Sequence, residues 1–421
     1  MLAGVSGWSP LVRGRSVSSL LVALLGLAAS KVAAAPVPPG SQIEMLPVAG
    51  ASFYPSTVVA SADGAHVYSG GSFDVRSLSR DVLSGELAEI DLESVQNVAI
   101  AISPDGAHLY VAGLDPQTYQ ADQLLIFARN AESGLLEPAG TVTPDTGGTE
   151  QLAGIVSLAV SPEGAFLYVI TTSSHGILVF ARDAQTGALA ASPLAIDMTI
   201  APTKIVISPD GVHAYVLSTS EEELRVYARS AATGDLTWLD TVSQLVFTVD
   251  DKPSYQLDVA ISPDGGSVEV TSAPEDTITA FTRDAGTGAL TFADELVLHP
   301  FGSVLLDSLR LVAGNSVTWV SRFRGRGPQP TSVDRLDFIA LSRNEGSGLL
   351  TRIDDVTLDD GSILGPTDLA LAPDERHVYF GGVYGVGGAT LVPEPAVGSL
   401  AAAVVAHLAL LARRRRALAA R

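Results

Sequence analysis

From Gln42 to Val392 the chain is written in short apolar runs, rich in Val, Ile, Leu, Tyr and Phe, broken at close intervals by Asp, Gly, Pro and Ser. One stretch reads IVSLAV, SPEG, FLYVI, ILVFA, RDAQTG and LAASPLAI between Ile155 and Ile196. Runs this short, bounded by turn formers, predict β-strands, four to a unit.

The units repeat. SADG starts at Ser61, SPDG at Ser103, Ser208 and Ser262, SPEG at Ser161 and APDE at Ala372, with a degraded copy, VAGN, at Val312. Seven residues after each start stands an aromatic ring (Tyr68, Tyr110, Tyr168, Tyr215, Trp319, Tyr379), Glu269 excepted. A second signature, Arg followed by Gly five residues on and Leu two further, begins at Arg80, Arg129, Arg182, Arg229, Arg283 and Arg343. Starts about 40 to 60 residues apart match the period of propeller blades. Four-stranded sheets arranged radially, each covered by its neighbours, give an all-β, seven-bladed β-propeller. A solenoid is the alternative, and it would need no closing strand. The seventh copy runs short of a strand after GATLV, while Gln42 to Val48 is unassigned. That segment is expected to close the ring as the outer strand of the last blade, protecting an open edge.

SPDG followed by Tyr-Val, then FARDxxTGxL, resembles the lactonase-type seven-bladed propellers, the group containing bacterial 6-phosphogluconolactonase and muconate-cyclising relatives. The resemblance covers residues 41 to about 390. It implies the fold firmly and the activity weakly, because such propellers also serve as binding modules. Enzymes of the group carry a Pro-His pair ahead of the inner strand. The corresponding pairs here are Pro55-Ser56, Pro202-Thr203 and Pro366-Thr367, without the histidine.

In a four-stranded meander alternate turns share a face, so the regular SPDG and RDxxTG turns lie together and the irregular loops lie opposite. Insertions around Tyr119 and around Arg324 fall on that second face, where binding residues usually sit. Arg310, Asp258 and Asp368, near the starts of inner strands, are the candidate catalytic residues. Tyr119 and the basic cluster Arg322, Arg324 and Arg326 are the candidate binding residues, the latter for an anionic polymer such as an acidic polysaccharide. His66, His108, His213 and His377 each lie five residues after a repeat start, which marks them as packing residues. His175 and His299 are isolated. Asp250-Asp251 and Asp359-Asp360 could offer oxygens to calcium, but neither has the spacing of a calcium loop. No cofactor motif, phosphate loop or metal-histidine spacing is present.

Charge narrows the partners. The whole chain carries 25 basic and 46 acidic residues, and no cysteine. Eight of the basic residues lie in residues 1–35 and 396–421, leaving 17 against 46 in the body between them. A polyanion of that density repels nucleic acid. Absent cysteine excludes disulfides and thiolate chemistry.

The ends predict export. Arg13 and Arg15 precede an apolar run, Leu20 to Ala29, and Val32-Ala33-Ala34 supplies small residues for cleavage after Ala34. A retained anchor is the alternative, and that run is too short to span a bilayer. Residues 1–34 are thus expected to be a signal peptide and 35–390 the propeller. In residues 391–421, Pro393-Glu394-Pro395 precedes an apolar run ending in Arg413, Arg414, Arg415 and Arg416. The order is similar to the PEP-CTERM signal read by exosortases. It implies a short transmembrane helix held transiently in the inner membrane, then release from the periplasm to the cell surface or extracellular matrix, often beside exopolysaccharide; a plain tail anchor is the alternative.

The leading expectation is therefore an exported propeller that binds a polysaccharide or an envelope protein, with no cofactor. The alternative is a hydrolase acting on a sugar lactone outside the cytoplasm.

Overall fold

The computed structural model describes residues 41–392 apart from 50–54, 72, 116–120, 145–151, 173–175, 191–193, 198–200, 244–256, 273–275, 299–307, 325–334, 345–346, 359–367 and 383–384. The expected signal peptide and C-terminal sorting signal lie outside the described residues. Within them the chain forms seven four-stranded antiparallel sheets. Six sheets are consecutive meanders: residues 55–93, 97–142, 155–197, 204–243, 257–297 and 308–358. The seventh takes three strands from residues 369–392, and its outer strand is Gln42–Ala49 from the start of the chain. Gln42 pairs with Val392 and Ala49 with Val386, so the ring closes through antiparallel backbone bonds as the missing strand predicted. Among the described residues no helix is long and apolar enough to cross a membrane.

Each blade grades from a dry second strand to a wet outer one. Phe166–Thr171, His213–Ser218 and Ser267–Ser272 are buried along their whole length, because both faces of the sheet meet a neighbour there. Leu236–Ser243 on the periphery is largely exposed. The apolar residues gather in seven clusters, and each bridges two consecutive blades. The hydrophobic driving force therefore acts across the seams between sheets.

The two sequence signatures meet at those seams. Arg182, in the third blade, donates from Nε to Tyr110 Oη of the second blade at 2.6 Å and from Nη1 to the Gly164 carbonyl at 2.9 Å. Its Nη2 reaches Asp105 at 3.0 Å and His108 Nδ1 at 2.9 Å. Tyr110 Oη in turn donates to the carbonyl of Gly187, the glycine of the RDxxTG turn, at 2.9 Å. Gly187 has φ 74°, and a Cβ there would stand 2.2 Å from His108. Both conditions demand glycine. Arg80, Arg129, Arg229 and Arg283 make the corresponding set with Tyr379, Tyr68, Tyr168 and Tyr215. Histidine is replaced once, by Phe166, whose ring lies 5.6 Å from the Arg229 guanidinium.

The remaining seams are altered. Glu269 replaces the tyrosine between the fifth and sixth blades; it is fully buried and accepts from Thr318 Oγ1 at 2.6 Å. Between the sixth and seventh, Trp319 takes the tyrosine position, and Asn315 donates to Glu375 from its backbone N–H at 2.9 Å and its side-chain amide at 2.5 Å.

Protonation follows burial. Burial, then the adjacent arginine, pushes His66, His108 and His213 below the usual histidine range. Burial raises the Asp63 carboxyl, but hydrogen bonds from Ser61, the Ala65 N–H and Arg129 outweigh it and hold it at about 2. Burial pushes Tyr215 and Tyr379 up to about 12. A depressed group contributes stability that is lost as pH falls from its unfolded value; a raised tyrosine contributes stability lost as pH rises past its unfolded value. Thermal melting across pH should therefore show stability declining below about 6.5, declining again from about 4 towards 2, and declining above about 10. A profile flat from pH 4 to 7 would contradict the neutral buried histidines. Arg182→Ala should cost roughly 2–4 kcal/mol in chemical denaturation, chiefly from the buried partners it strands, with little from the half-exposed Asp105. A loss below about 0.5 kcal/mol would show the clamp to be dispensable.

Candidate functional site

The clamps occupy one face, so the regular turns serve to hold blades together. Each inner strand runs from the opposite, loop-bearing face towards an SPDG turn, and its first residues ring the central axis there. Residues from the inner strands of all seven blades line one axial cavity of about 320 Å³.

Seven of these residues are structurally equivalent. In five blades they lie four residues before the serine of the turn: Thr57, Ala99, Ser157, Lys204 and Asp258; Asp368 lies four before Ala372. The sixth blade needs a correction to its sequence frame. Its turn closes with the Gly314 N–H on the Val317 carbonyl, where Ser61 reaches five residues on to His66. Trp319 consequently pairs with Val312, as Tyr68 pairs with Val59. The turn is two residues shorter, and Arg310 takes the equivalent place, pairing with Ser321 as Asp258 pairs with Thr271.

The ring therefore reads Lys204, Asp258, Arg310, Asp368 across the fourth to seventh blades, then Thr57, Ala99 and Ser157. Charge alternates over four consecutive blades and is absent from three. Lys204 Nζ lies 2.5 Å from Asp258 Oδ1. Asp258 is buried and accepts the Val259 N–H at 2.9 Å, while its Oδ2 accepts the Leu311 N–H of the next blade at 3.1 Å. Asp368 repeats that bridge, accepting the Val58 N–H at 3.2 Å from the first blade. Part of its surface opens to the cavity, yet burial pushes its carboxyl up from the usual aspartate range. The Asp258 charge adds to the rise, and Lys204 and the Val58 and Leu369 N–H groups oppose it.

The three candidate catalytic residues are thus brought to one cavity, together with Lys204, which the sequence reading passed over. Its signal was available: Lys204 and Lys252 are the sole lysines of the body, and Lys204 stands at the repeat position of Asp258. Of the expected binding set, Arg322 alone has its side chain among the described residues. Tyr119 and Arg326 lie outside the described residues, as does the Arg324 side chain. Arg322, expected to bind an anionic polymer, is a buried strand residue between Asp276 at 2.6 Å and Asp337 at 2.7 Å. Its charge is already neutralised. His66, His108, His213 and His377 belong to the clamps, and His175, His299, Asp250, Asp251, Asp359 and Asp360 are outside the described residues. Among the described residues, no three acidic or histidine side chains converge to hold a metal.

The family described as lactonase, seven-bladed β-propeller, matches over residues 86–199 and 194–299. A 6-phosphogluconolactonase of Formosa agariphila is 34% identical over 101 residues, covering 24% of this chain and 26% of that protein. The chain thus spans about a quarter of that relative. The periplasmic gluconolactonase PpgL of Pseudomonas aeruginosa superposes with a TM-score of 0.52 at 16% identity, over 74% of this chain and 87% of that one. The β-propeller domain of Myceliophteria thermophila Cps50 (Swd1) gives 0.56 at 12% identity, over 83% and 99%. These two likenesses concern the fold. The chain belongs to the seven-bladed lactonase family.

Proposed function

We propose that this member of the seven-bladed lactonase family is an exported hydrolase that opens a sugar lactone at the mouth of its central channel. The observation that carries the reading is the set of two cations and two carboxylates, from four consecutive blades, facing one cavity. The names of its relatives, a 6-phosphogluconolactonase and a periplasmic gluconolactonase, favour this alternative over the surface-binding role expected from the missing Pro-His pairs.

Lactone opening needs a base for water and positive charge where the carbonyl oxygen becomes an oxyanion. Asp368 is the base in this reading, because a carboxyl raised by burial accepts a proton more strongly than one at the surface. Water loses a proton to Asp368 as its oxygen attacks the carbonyl carbon. The ring C–O bond then breaks and the alkoxide recovers a proton, leaving a hydroxy acid that ionises. Lys204 and Arg310 supply the positive charge. Asp258 positions Lys204, and is itself fixed by the Val259 and Leu311 N–H groups.

The ends of the chain complete the proposal. Cleavage after Ala34 would deliver the propeller to the periplasm, and Pro393-Glu394-Pro395 with Arg413 to Arg416 would hand it to an exosortase-type enzyme for release at the surface. A sugar lactone met there would come from extracellular sugar oxidation.

The full chain should hydrolyse an aldonolactone above the spontaneous rate. Asp368→Asn, which keeps an oxygen for the Val58 N–H, should lower kcat by roughly 10²–10⁴ with little change in melting temperature. The acid limb of kcat/KM should have its midpoint above the ordinary aspartate value of about 3.9. Unchanged kcat in the variant would remove Asp368 from the chemistry, and no turnover above background would remove the hydrolase reading.

A further inference from the structure

Resting on the hydrolase reading, we infer that the substrate is a neutral, unphosphorylated polyol lactone, selected by the zero net charge of the channel ring. A phosphate dianion is usually held where basic groups outnumber acidic ones, with arginine forks or several donors free to meet its oxygens. Here each cation is followed round the ring by a carboxylate: Lys204 by Asp258, Arg310 by Asp368. Lys204 is paired with Asp258 at 2.5 Å, which offsets its charge while its remaining N–H donors can still meet a neutral carbonyl. Asp258 cannot swing away to release it, since two backbone N–H groups, from Val259 and from Leu311 of the next blade, hold both its oxygens. The other three ring positions, Thr57, Ala99 and Ser157, carry no charge. Arg322, at the start of the basic loop, is neutralised by Asp276 and Asp337.

The surrounding field acts in the same direction. Seventeen basic against 46 acidic residues in the body repel a dianion approaching the mouth. A neutral lactone feels no such barrier, and the hydroxyls of Thr57, Ser157 and Thr203 beside the aliphatic Val98 and Leu158 suit the mixed O–H and C–H surface of a polyol. Ring opening turns that neutral substrate into a monoanionic hydroxy acid. The repulsion then falls on the product, which assists its departure.

The test compares kcat/KM of the full chain for glucono-δ-lactone and for its 6-phosphate, corrected for spontaneous opening, in wild type and in Asp258→Asn. Wild type should favour the neutral lactone by roughly tenfold or more. Asp258→Asn retains an acceptor oxygen but adds a net positive charge to the ring, so it should shift the ratio towards the phosphate by roughly threefold or more. Equal or greater use of the phosphate by wild type would overturn the substrate class while leaving the hydrolase reading intact. A ratio unmoved by Asp258→Asn would overturn the charge mechanism. Failure to open either lactone would sink the hydrolase reading itself, and this inference with it.

Discussion

The structure depends on one repeated contact, the arginine that reaches from the end of the third strand into the preceding blade, present in six of the seven blades. Arg182 joins a tyrosine hydroxyl, a backbone carbonyl, a carboxylate and an imidazole in a single fork. Planar guanidinium with five fixed donors suits that task, and lysine would not. Because the hydrophobic clusters bridge blades, the polar clamps at their ends set the register in which the clusters meet. This couples the SPDG-to-Tyr signature of one blade to the Arg-to-Gly signature of the next. The glycine is required by its positive φ and by the histidine packed against it. Spacing that looked like a sequence regularity is a contact between neighbouring units.

Much of the fold was legible for that reason. The missing strand of the seventh copy pointed to Gln42–Ala49, and Gln42 pairs with Val392. Repetition also identified His66, His108, His213 and His377 as packing residues, although their partner, the next blade's arginine, could not be read from a single unit. The sixth blade misled the sequence reading. Its turn is two residues short, so alignment on Trp319 put Arg310 out of step with Asp258 and Asp368. Lys204 was overlooked because nothing local distinguishes a strand-end lysine from a solvated one. Equivalence across blades is what gives these four residues meaning: the turn spacing carries it for Lys204, Asp258 and Asp368, and Arg310 needed the backbone pairing. Arg322 is the opposite case: a basic cluster in sequence hid two acidic partners, Asp276 and Asp337, supplied from elsewhere.

Regularity and specialisation are divided between the faces and also round the ring. The clamps from the first to the fifth blade are near copies, while Glu269 and Trp319 mark the altered seams flanking the sixth. The charged ring positions fall in the fourth to seventh blades, the sector that contains both altered seams. At the channel the carboxylates do two things at once: Asp258 and Asp368 each bind a backbone N–H of the next blade and each face the cavity. A group pinned in this manner is preorganised, which is what a catalytic or binding constellation requires.

The central claim is that this ring is the site. The direct measurement is a crystal structure of the chain with a lactam analogue of a sugar lactone, which resists hydrolysis. The account predicts the lactam within the axial cavity, its carbonyl oxygen within hydrogen-bond distance of Lys204 or Arg310 and its ring carbon facing Asp368. Analogue bound on the outer rim or against the clamp face, with the axial cavity empty, would contradict it.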